Sequence, residues 1–109
     1  TWLESSNLNS KDLVFIFSVG GGDTEKKISV NLVKAIDYAN KVNCDVVGIV
    51  SREGGYTYKN SYACVKIPVI NKQTITPHAE AWQAVIWHLM VTDPRLLKNS
   101  NKWESLDNK

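Results

Sequence analysis

Apolar residues occur in short blocks along this chain, and polar turns separate the blocks. Leu13–Phe17 contains only apolar residues, and residues 46–50 repeat the pattern with one glycine inside. Short apolar runs without alternation are typical of strands buried on both faces of a parallel sheet. A third strand is predicted over residues 62–67, where Pro68 ends it.

Two further segments have the 3.6-residue period of helices. The first begins after Ser29, a suitable N-cap, and stops near Asn43. Its predicted core face consists of Leu32, Val33, Ile36 and Ala39. The second is predicted to open with Thr76 as N-cap and Pro77 as first helical residue, and to end before Pro94. Its predicted apolar stripe consists of Trp82, Val85, Ile86, Leu89 and Met90.

The predicted order is strand, helix, strand, a short loop over residues 51–55, strand, helix. This alternation indicates an α/β fold with a parallel sheet and helical cover. Doubly wound sheets usually have about five strands, so the predicted elements form only part of one. We therefore expect a single partial domain with its core in residues 11–92 and a C-terminal tail or arm in residues 93–109. The first strand should lack a sheet neighbour, supplied by an N-terminal segment or by another chain.

Composition and charge argue against several classes of protein. Of the 109 residues, 43% are apolar, which is a globular rather than a disordered value. The net charge of +2, from 13 basic and 11 acidic residues, is too balanced to indicate a nucleic-acid surface. No apolar run approaches the roughly 20 residues of a membrane span, and no signal peptide is visible. We therefore expect a cytoplasmic protein that binds neither nucleic acid nor membrane.

The two cysteines and the terminal tryptophans are expected to have structural roles. Cys44 and Cys64 lie beside predicted strands. Two thiols in a chain with this much apolar sequence are expected to be free structural cysteines rather than a bridge or a nucleophile. Trp2 and Trp103 are expected to be packing anchors.

The segment from Ser18 to Ser29 is the best candidate for a ligand site. It follows the carboxyl end of the first strand, where open α/β sheets bind their ligands. Gly20, Gly21 and Gly22 allow backbone N–H groups to turn toward a ligand, and the following helix N-terminus adds free donors and partial positive charge. This combination suits a phosphate.

The charges of this segment are mixed. Lys26 and Lys27 could attract an anion, whereas Asp23 and Glu25 would repel one if they faced inward. Neither nucleotide-binding fingerprint is present. A flexible connector, whose glycines merely permit a turn, is the alternative interpretation.

Three segments in order span residues 11–92 and resemble a known family. They are F-I-F-S-V-G-G-G at 15–22 with S-V-N-L at 29–32, V-G-I-V-S-R-E-G-G at 47–55, and E-A-W-Q at 80–83 with W-H-L at 87–89. Together they resemble the sugar isomerase (SIS) domain, particularly its phosphoheptose isomerase branch. The resemblance covers the second half of that domain, without its first strand–helix portion. It implies a partial doubly wound parallel sheet of the flavodoxin-like three-layer type.

The resemblance implies a sugar-phosphate site in the glycine loop. The family holds its ligand with a loop of the type S-T-S-G-N-S-x-N-V. Ser18 resembles its first serine, and S-V-N-L at residues 29–32 resembles its closing S-x-N-V. Val19 and Gly20 stand where hydroxyl residues are usual, and six extra residues, 23–28, lengthen the loop. A phosphate would therefore depend more on backbone N–H groups. The implied substrate-binding residues are Ser18, Gly20, Gly21, Gly22, Ser29 and Asn31.

The resemblance also implies catalytic residues on the last helix. There the family has a Gln and, eight residues later, a His, which in some heptose isomerases bind zinc. Glu80 stands at the Gln position and His88 at the His position. Both side chains suit zinc, so Glu80 and His88 are candidate ligands, with His78 as a rival. Helical phase predicts that Glu80 and Gln83 are exposed, and a solvated Glu80 with a half-buried His88 is the alternative.

Three functional hypotheses follow. The first is a phosphosugar aldose–ketose isomerase similar to sedoheptulose 7-phosphate isomerase, which would move a proton through an enediol with His88 as acid or base and Glu80 as second carboxylate or metal ligand. The second is a non-catalytic sugar-phosphate-binding module that acts as a regulator or interaction domain. The third is a structural fragment that binds nothing without the first half of the domain. The resemblance further implies a homodimer or homotetramer.

Overall fold

A computed structural model describes residues 2–99 of the chain. The elements in chain order are α1 (Trp2–Ser5), β1 (Leu13–Phe17), α2 (Val30–Lys41), β2 (Asp45–Val50), α3 (Gly55–Asn60), β3 (Ala63–Lys66) and α4 (Ile75–Thr92). The three predicted strands and the two predicted helices are all present. The predicted α/β class is therefore confirmed.

The strands form one parallel sheet in the order β1-β2-β3. Phe15 is level with Val47 in the first pair, and Ile49 is level with Val65 in the second. Because all three strands run in the same direction, their carboxyl ends meet at one end of the sheet. The loops that follow β1 and β2 therefore lie side by side.

Helix α2 covers one face of the sheet as its period predicts. Val33, Ile36 and Ala39 are buried and Leu32 is partly buried. Leu32, Ile36 and Ala39 pack in one cluster with Ile16 and Val46 of the sheet. Helix α4 contacts β2 from the opposite face, so helices cover both sides of the sheet.

Both cysteines are free, as expected. Cys44 is buried in the core cluster, and its thiol donates a hydrogen bond to the Asp12 carbonyl at 3.3 Å. Burial raises the pKa of Cys44, so the thiol stays protonated at neutral pH. The cysteine therefore acts as a small core residue.

Helix α3 is an element that the sequence did not predict. We expected a turn followed directly by a strand, but residues 55–60 form a helix after that turn. The segment begins with Gly55 and lacks an apolar period, so its own sequence gives little helical signal. Its first turn is held from outside, by carbonyl groups of the loop after β1.

The predicted helix starts are correct for α2 and two residues late for α4. Ser29 occupies the N-cap position of α2, but its φ is +50° and its side chain makes no capping hydrogen bond. Helix α4 has Thr74 at its N-cap position, so Thr76 and Pro77 fall in its first turn. Pro77 is tolerated there because N–H groups of a first turn have no intrahelical acceptor.

The face of α4 that packs against the sheet differs from the predicted one, and this is the largest correction to the sequence-based prediction. Its buried residues are Ala79 and Gln83, whereas the predicted stripe is largely exposed. Trp82, Val85 and Leu89 keep 48%, 54% and 64% of their surface in contact with solvent. The prediction that Gln83 is exposed is therefore wrong.

The terminal predictions have mixed outcomes. Trp2 is 80% exposed, so it does not anchor any packing among residues 2–99. Trp103 and the end of the predicted tail lie outside the described residues. Within the described part, α4 ends at Thr92 as the sequence predicts, and no helix is long and apolar enough to cross a membrane.

Candidate functional site

The glycine loop continues directly from β1 along the end of β2. The Ser18 amide donates to the Ile49 carbonyl at 3.1 Å, and the Ser51 amide donates to the Val19 carbonyl at 3.0 Å. The Ser18 hydroxyl accepts a hydrogen bond from the Gly21 amide at 3.0 Å. The first serine of the predicted phosphate loop therefore helps to shape the loop itself.

The glycines allow two stretches of backbone to touch. Gly21 has a φ of +73°, and a Cβ at this position would overlap the Gly54 carbonyl. A Cβ on Gly55 would overlap the carbonyl oxygens of Gly20 and Gly22. Residues 20–22 therefore lie directly against residues 54–55, at the start of α3.

Helix α3 uses its first N–H groups to hold this loop. The Tyr56 amide donates to the Gly22 carbonyl and the Thr57 amide to the Gly21 carbonyl, each at 2.8 Å. The buried Thr57 hydroxyl also donates to Gly21, at 2.8 Å. These donors, which a helix N-terminus often directs to a ligand, are therefore occupied by the loop.

Residues 23–28 form a closed hairpin rather than a loose insertion. Asp23 and Ile28 exchange backbone hydrogen bonds of 2.9 and 3.0 Å. The Asp23 carboxylate accepts the amides of Glu25 and Lys26, each at 2.9 Å. The Lys26 amide is the largest cause that lowers the pKa of Asp23. One carboxylate oxygen, Oδ1, is thus held by the backbone of its own turn.

A cleft opens between the hairpin and the turn after β2. Its volume is about 240 Å³, and its lining consists of Gly20, Gly22, Asp23, Lys26, Ile28, Arg52, Glu53 and Gly55. The amides of Gly20 and Gly22 have no hydrogen-bond acceptor among residues 2–99. We call this space the hairpin cleft.

A smaller cleft of about 160 Å³ lies on the other side of the hairpin. It shares Gly22, Asp23 and Gly55 with the hairpin cleft and adds Thr24, Glu25, Tyr56 and Lys59. The positive charges of Lys26 and Lys59 both contribute to the lowered pKa of Asp23. Lys26, within the hairpin, lines the hairpin cleft, and Lys59, on α3, lines the smaller cleft.

Of the six predicted ligand residues, only Gly20 and Gly22 line this cleft. Ser29 and Asn31 are both exposed, and neither lines the hairpin cleft. Asn31 instead lines a groove between α1 and α2, beside Trp2 and Tyr38. The structure therefore places Gly20 and Gly22 in one cleft with Lys26 and Arg52, and it does not bring Asn31 to them.

The predicted catalytic pair lies on the surface of α4. Glu80 and His88 are both exposed, and the His88 ring stacks on Trp87 with a centroid distance of 3.7 Å. The helix is continuous through both residues, which places them about 12 Å apart along its axis. One zinc ion could be shared only if both side chains leaned toward each other. No group of three or more metal-binding side chains occurs within residues 2–99, and a zinc site here stays a prediction.

Gln83 is the residue of α4 that reaches the carboxyl end of the sheet. Its side-chain amide donates to the Ile49 carbonyl at 3.1 Å, the same oxygen that accepts the Ser18 amide. Its side chain is nearly buried, at 8% exposure. The helical period did not predict this buried contact, because it placed Gln83 on the side of the helix that faces solvent.

Arg52, in the predicted loop over residues 51–55, lines the hairpin cleft. The sequence feature that could have predicted this position is that Arg52 lies in the loop that directly follows β2. The loops after neighbouring parallel strands lie at the same end of the sheet, which is where such folds bind ligands. Its φ of +50° is uncommon for a residue with a side chain.

Comparison with known proteins adds no identification. No protein-family model matches the chain, and no curated protein matches it significantly.

Proposed function

We propose that this chain is a non-catalytic sugar-phosphate-binding module of the SIS type and that the hairpin cleft is its site. The observation that carries the proposal is a cleft whose lining combines Gly20 and Gly22, residues with amides that have no acceptor among residues 2–99, with the cationic residues Lys26 and Arg52. All four groups lie at the carboxyl end of a parallel sheet, which is where such folds bind ligands.

The donors of the cleft suit a phosphate group. Backbone N–H groups bind phosphate oxygens without carrying a full charge, and lysine and arginine add charge-assisted hydrogen bonds. Here the cations replace the hydroxyl side chains that the SIS loop normally supplies. The altered loop, with Val19 and Gly20 at those positions, is therefore compatible with the same class of ligand.

The cleft is lined by two acidic residues, Asp23 and Glu53, and they favour a sugar over a plain anion. Glu53 lines the cleft beside Arg52, and a carboxylate accepts hydrogen bonds from hydroxyl groups but repels phosphate. A polyhydroxylated phosphate ester satisfies both kinds of group. The cleft volume of about 240 Å³ is below the range of roughly 300–1,000 Å³ for drug-sized ligands, which favours a small metabolite.

Thermal unfolding of the whole chain tests this proposal. Sedoheptulose 7-phosphate should raise the unfolding midpoint, because a ligand that binds only the native state stabilises it by about 2.7 kcal/mol at a hundredfold excess over its Kd. Inorganic phosphate at equal concentration is the control for general anion effects and should raise the midpoint less. No change at the highest ligand concentration would contradict the proposal.

Variants locate the site. Arg52→Gln and Lys26→Gln should each reduce the ligand-induced rise. Lys72→Gln removes an exposed cation that lines neither cleft, and it should leave the rise unchanged. An equal loss in all three variants would indicate non-specific screening rather than a site.

An isomerase is the second candidate function. It is favoured by the position of α4, because Gln83 anchors this helix at the carboxyl end of β2 while Glu80 and His88 stay exposed on the same helix. In that case His88 would transfer the proton and Glu80 would be the second carboxylate. Turnover of sedoheptulose 7-phosphate, measured with and without added zinc, distinguishes the two functions. Turnover that a His88→Ala variant loses supports the isomerase, and ligand binding without turnover supports the module.

A further inference from the structure

The hairpin of residues 23–28 forms part of the wall of the smaller cleft. This cleft has a volume of about 160 Å³, and Asp23, Thr24 and Glu25 of the hairpin line it together with Tyr56 and Lys59 of α3. Residues 23–28 are also the ones by which the loop exceeds the length of the SIS type. The smaller cleft therefore belongs to the insertion in this chain and not to the loop that the resemblance implies.

Hydrogen bonds within the chain hold both parts of this wall. The hairpin is closed by the backbone hydrogen bonds between its ends and by the turn around the Asp23 carboxylate. On α3, the Tyr56 amide donates to the Gly22 carbonyl at 2.8 Å, and the Tyr56 hydroxyl donates to the Asp37 carboxylate of α2 at 2.6 Å. Because the Tyr56 hydroxyl already has this acceptor, the groups left for a ligand belong to the other side chains.

Those other side chains offer hydrogen-bonding groups that the chain itself does not use. Within residues 2–99, the Thr24 hydroxyl, the Glu25 carboxylate and the Lys59 ammonium form no hydrogen bond or ion pair, and Oδ2 of Asp23 accepts none. No aliphatic side chain lines the cleft. Hydroxyl groups both donate and accept, so a polyhydroxylated chain satisfies this mixture of donors and acceptors. A second phosphate would instead meet the carboxylates of Asp23 and Glu25.

The two clefts are adjacent because they share part of their lining. Gly22, Asp23 and Gly55 line both of them. A ligand whose phosphate lies beside Lys26 and Arg52 in the hairpin cleft can therefore extend past Gly22 into the smaller cleft.

We propose that the smaller cleft binds the hydroxylated end of the sugar phosphate and makes the site selective for hexose and heptose phosphates over triose-sized ones. This inference rests on the proposed function and names the substrate class of the same site. Thr24, Glu25 and Lys59 determine the selectivity. They line the smaller cleft and not the hairpin cleft, so they contact the sugar chain rather than the phosphate.

Isothermal titration calorimetry of the whole chain measures this selectivity with two ligands of different length. Sedoheptulose 7-phosphate should bind at least about tenfold more tightly than glycerol 3-phosphate, as one additional hydrogen bond to a charged group would give. Fructose 1,6-bisphosphate should bind no more tightly than fructose 6-phosphate, because the smaller cleft has no place for a second phosphate.

Variants of the smaller cleft should affect only the longer ligand. Glu25→Ala and Lys59→Ala should each lower the affinity for sedoheptulose 7-phosphate severalfold and leave the affinity for glycerol 3-phosphate unchanged. Glu4→Ala and Lys72→Ala are the matched controls, because both residues are exposed and line neither cleft, and they should change neither affinity. The unfolding midpoint of each variant without ligand checks that the chain remains folded.

The outcomes separate this inference from the proposed function. Equal affinity for the two ligands, or variants that weaken both ligands alike, would overturn the inference and leave the phosphate site in place. Tighter binding of the bisphosphate that Lys59→Ala abolishes would also overturn it, because the smaller cleft would then hold a second phosphate. Binding of neither ligand would overturn the proposed function and this inference together.

Discussion

Gly20 and Gly21 are adjacent in the chain, but only one of them needs to be glycine. Gly21 has a positive φ, and a side chain there would collide with the backbone at Gly54. Gly20 has open space within 4 Å of where its Cβ would be. A triplet of glycines in a sequence therefore does not tell which glycine carries the constraint, and only the position of the 54–55 turn decides it.

Substitution of these two glycines separates the two cases. Gly21→Ala should lower the free energy of unfolding by about 2 kcal/mol or more, because left-handed strain of about 1–2 kcal/mol adds to the backbone collision. Gly20→Ala should change it by less than about 0.5 kcal/mol. Urea unfolding of both variants measures the difference, and equal effects would contradict the close contact with Gly54.

The stability of the hairpin should depend on pH in the acid range, because the ionised Asp23 carboxylate holds its turn. Its pKa lies below the ordinary value of 3.8, since the amide of Lys26, the amide of Glu25 and nearby lysine charges stabilise the ionised form. A lowered pKa contributes stability that is complete above 3.8 and is lost as pH falls through the folded value. The Lys26 amide resonance should therefore shift with a midpoint below 3.8.

Asp23→Asn is the matched control for this titration. It keeps a side-chain oxygen for the turn but cannot ionise, so the Lys26 resonance should no longer shift in the acid range. A midpoint at or above 3.8 in the unaltered chain would mean that the turn does not hold the carboxylate in solution.

At the scale of elements, α4 shows why period alone is an incomplete guide. The sequence predicts a helix, and a helix forms, but the wrong face was assigned to the sheet. Ala79 is small enough to let the helix approach β2, and Gln83 supplies a donor for a carbonyl at the end of that strand. A count of apolar residues per face cannot detect a polar residue that is buried because the backbone of another element needs it.

The burial of Gln83 predicts that this polar residue contributes more to the stability of the protein than the apolar Val85 on the same helix. Gln83→Ala removes a hydrogen bond to a buried carbonyl and should cost about 1 kcal/mol of stability. Val85→Ala shortens an apolar side chain that is 54% exposed and should cost less than about 0.5 kcal/mol. Chemical denaturation compares the two variants, and a larger loss for Val85→Ala would restore the stripe as the packed face.

Helix α3 marks a different limit of prediction. The strands β1 and β2 can be predicted from their apolar runs, because a strand that is buried on both faces requires a continuous apolar sequence. Residues 55–60 have no such property, and their helix is fixed by the carbonyls of Gly21 and Gly22. Elements held by tertiary hydrogen bonds are visible only when the partner loop is also placed.

At the scale of the whole molecule, the sequence predicts the class of fold and the incompleteness of its sheet. Three buried-type strands alternating with helices indicate a parallel sheet, and β1 lacks a neighbour among residues 2–99, as the strand count predicts. The site is predicted less well. The glycine loop is at the expected end of the sheet, but the cleft beside it is lined by Lys26 and Arg52 together with Asp23, which depends on geometry beyond local sequence.

The contact between the glycine loop and the start of α3 has a consequence for the kinetics of binding. Because the carbonyls of Gly21 and Gly22 are already bonded to Tyr56 and Thr57, the loop loses its conformational entropy during folding rather than when a ligand arrives. A ligand that binds the hairpin cleft, as proposed above, would therefore need no slow ordering step. The association rate should therefore rise in proportion to ligand concentration without reaching a plateau, as in simple one-step binding.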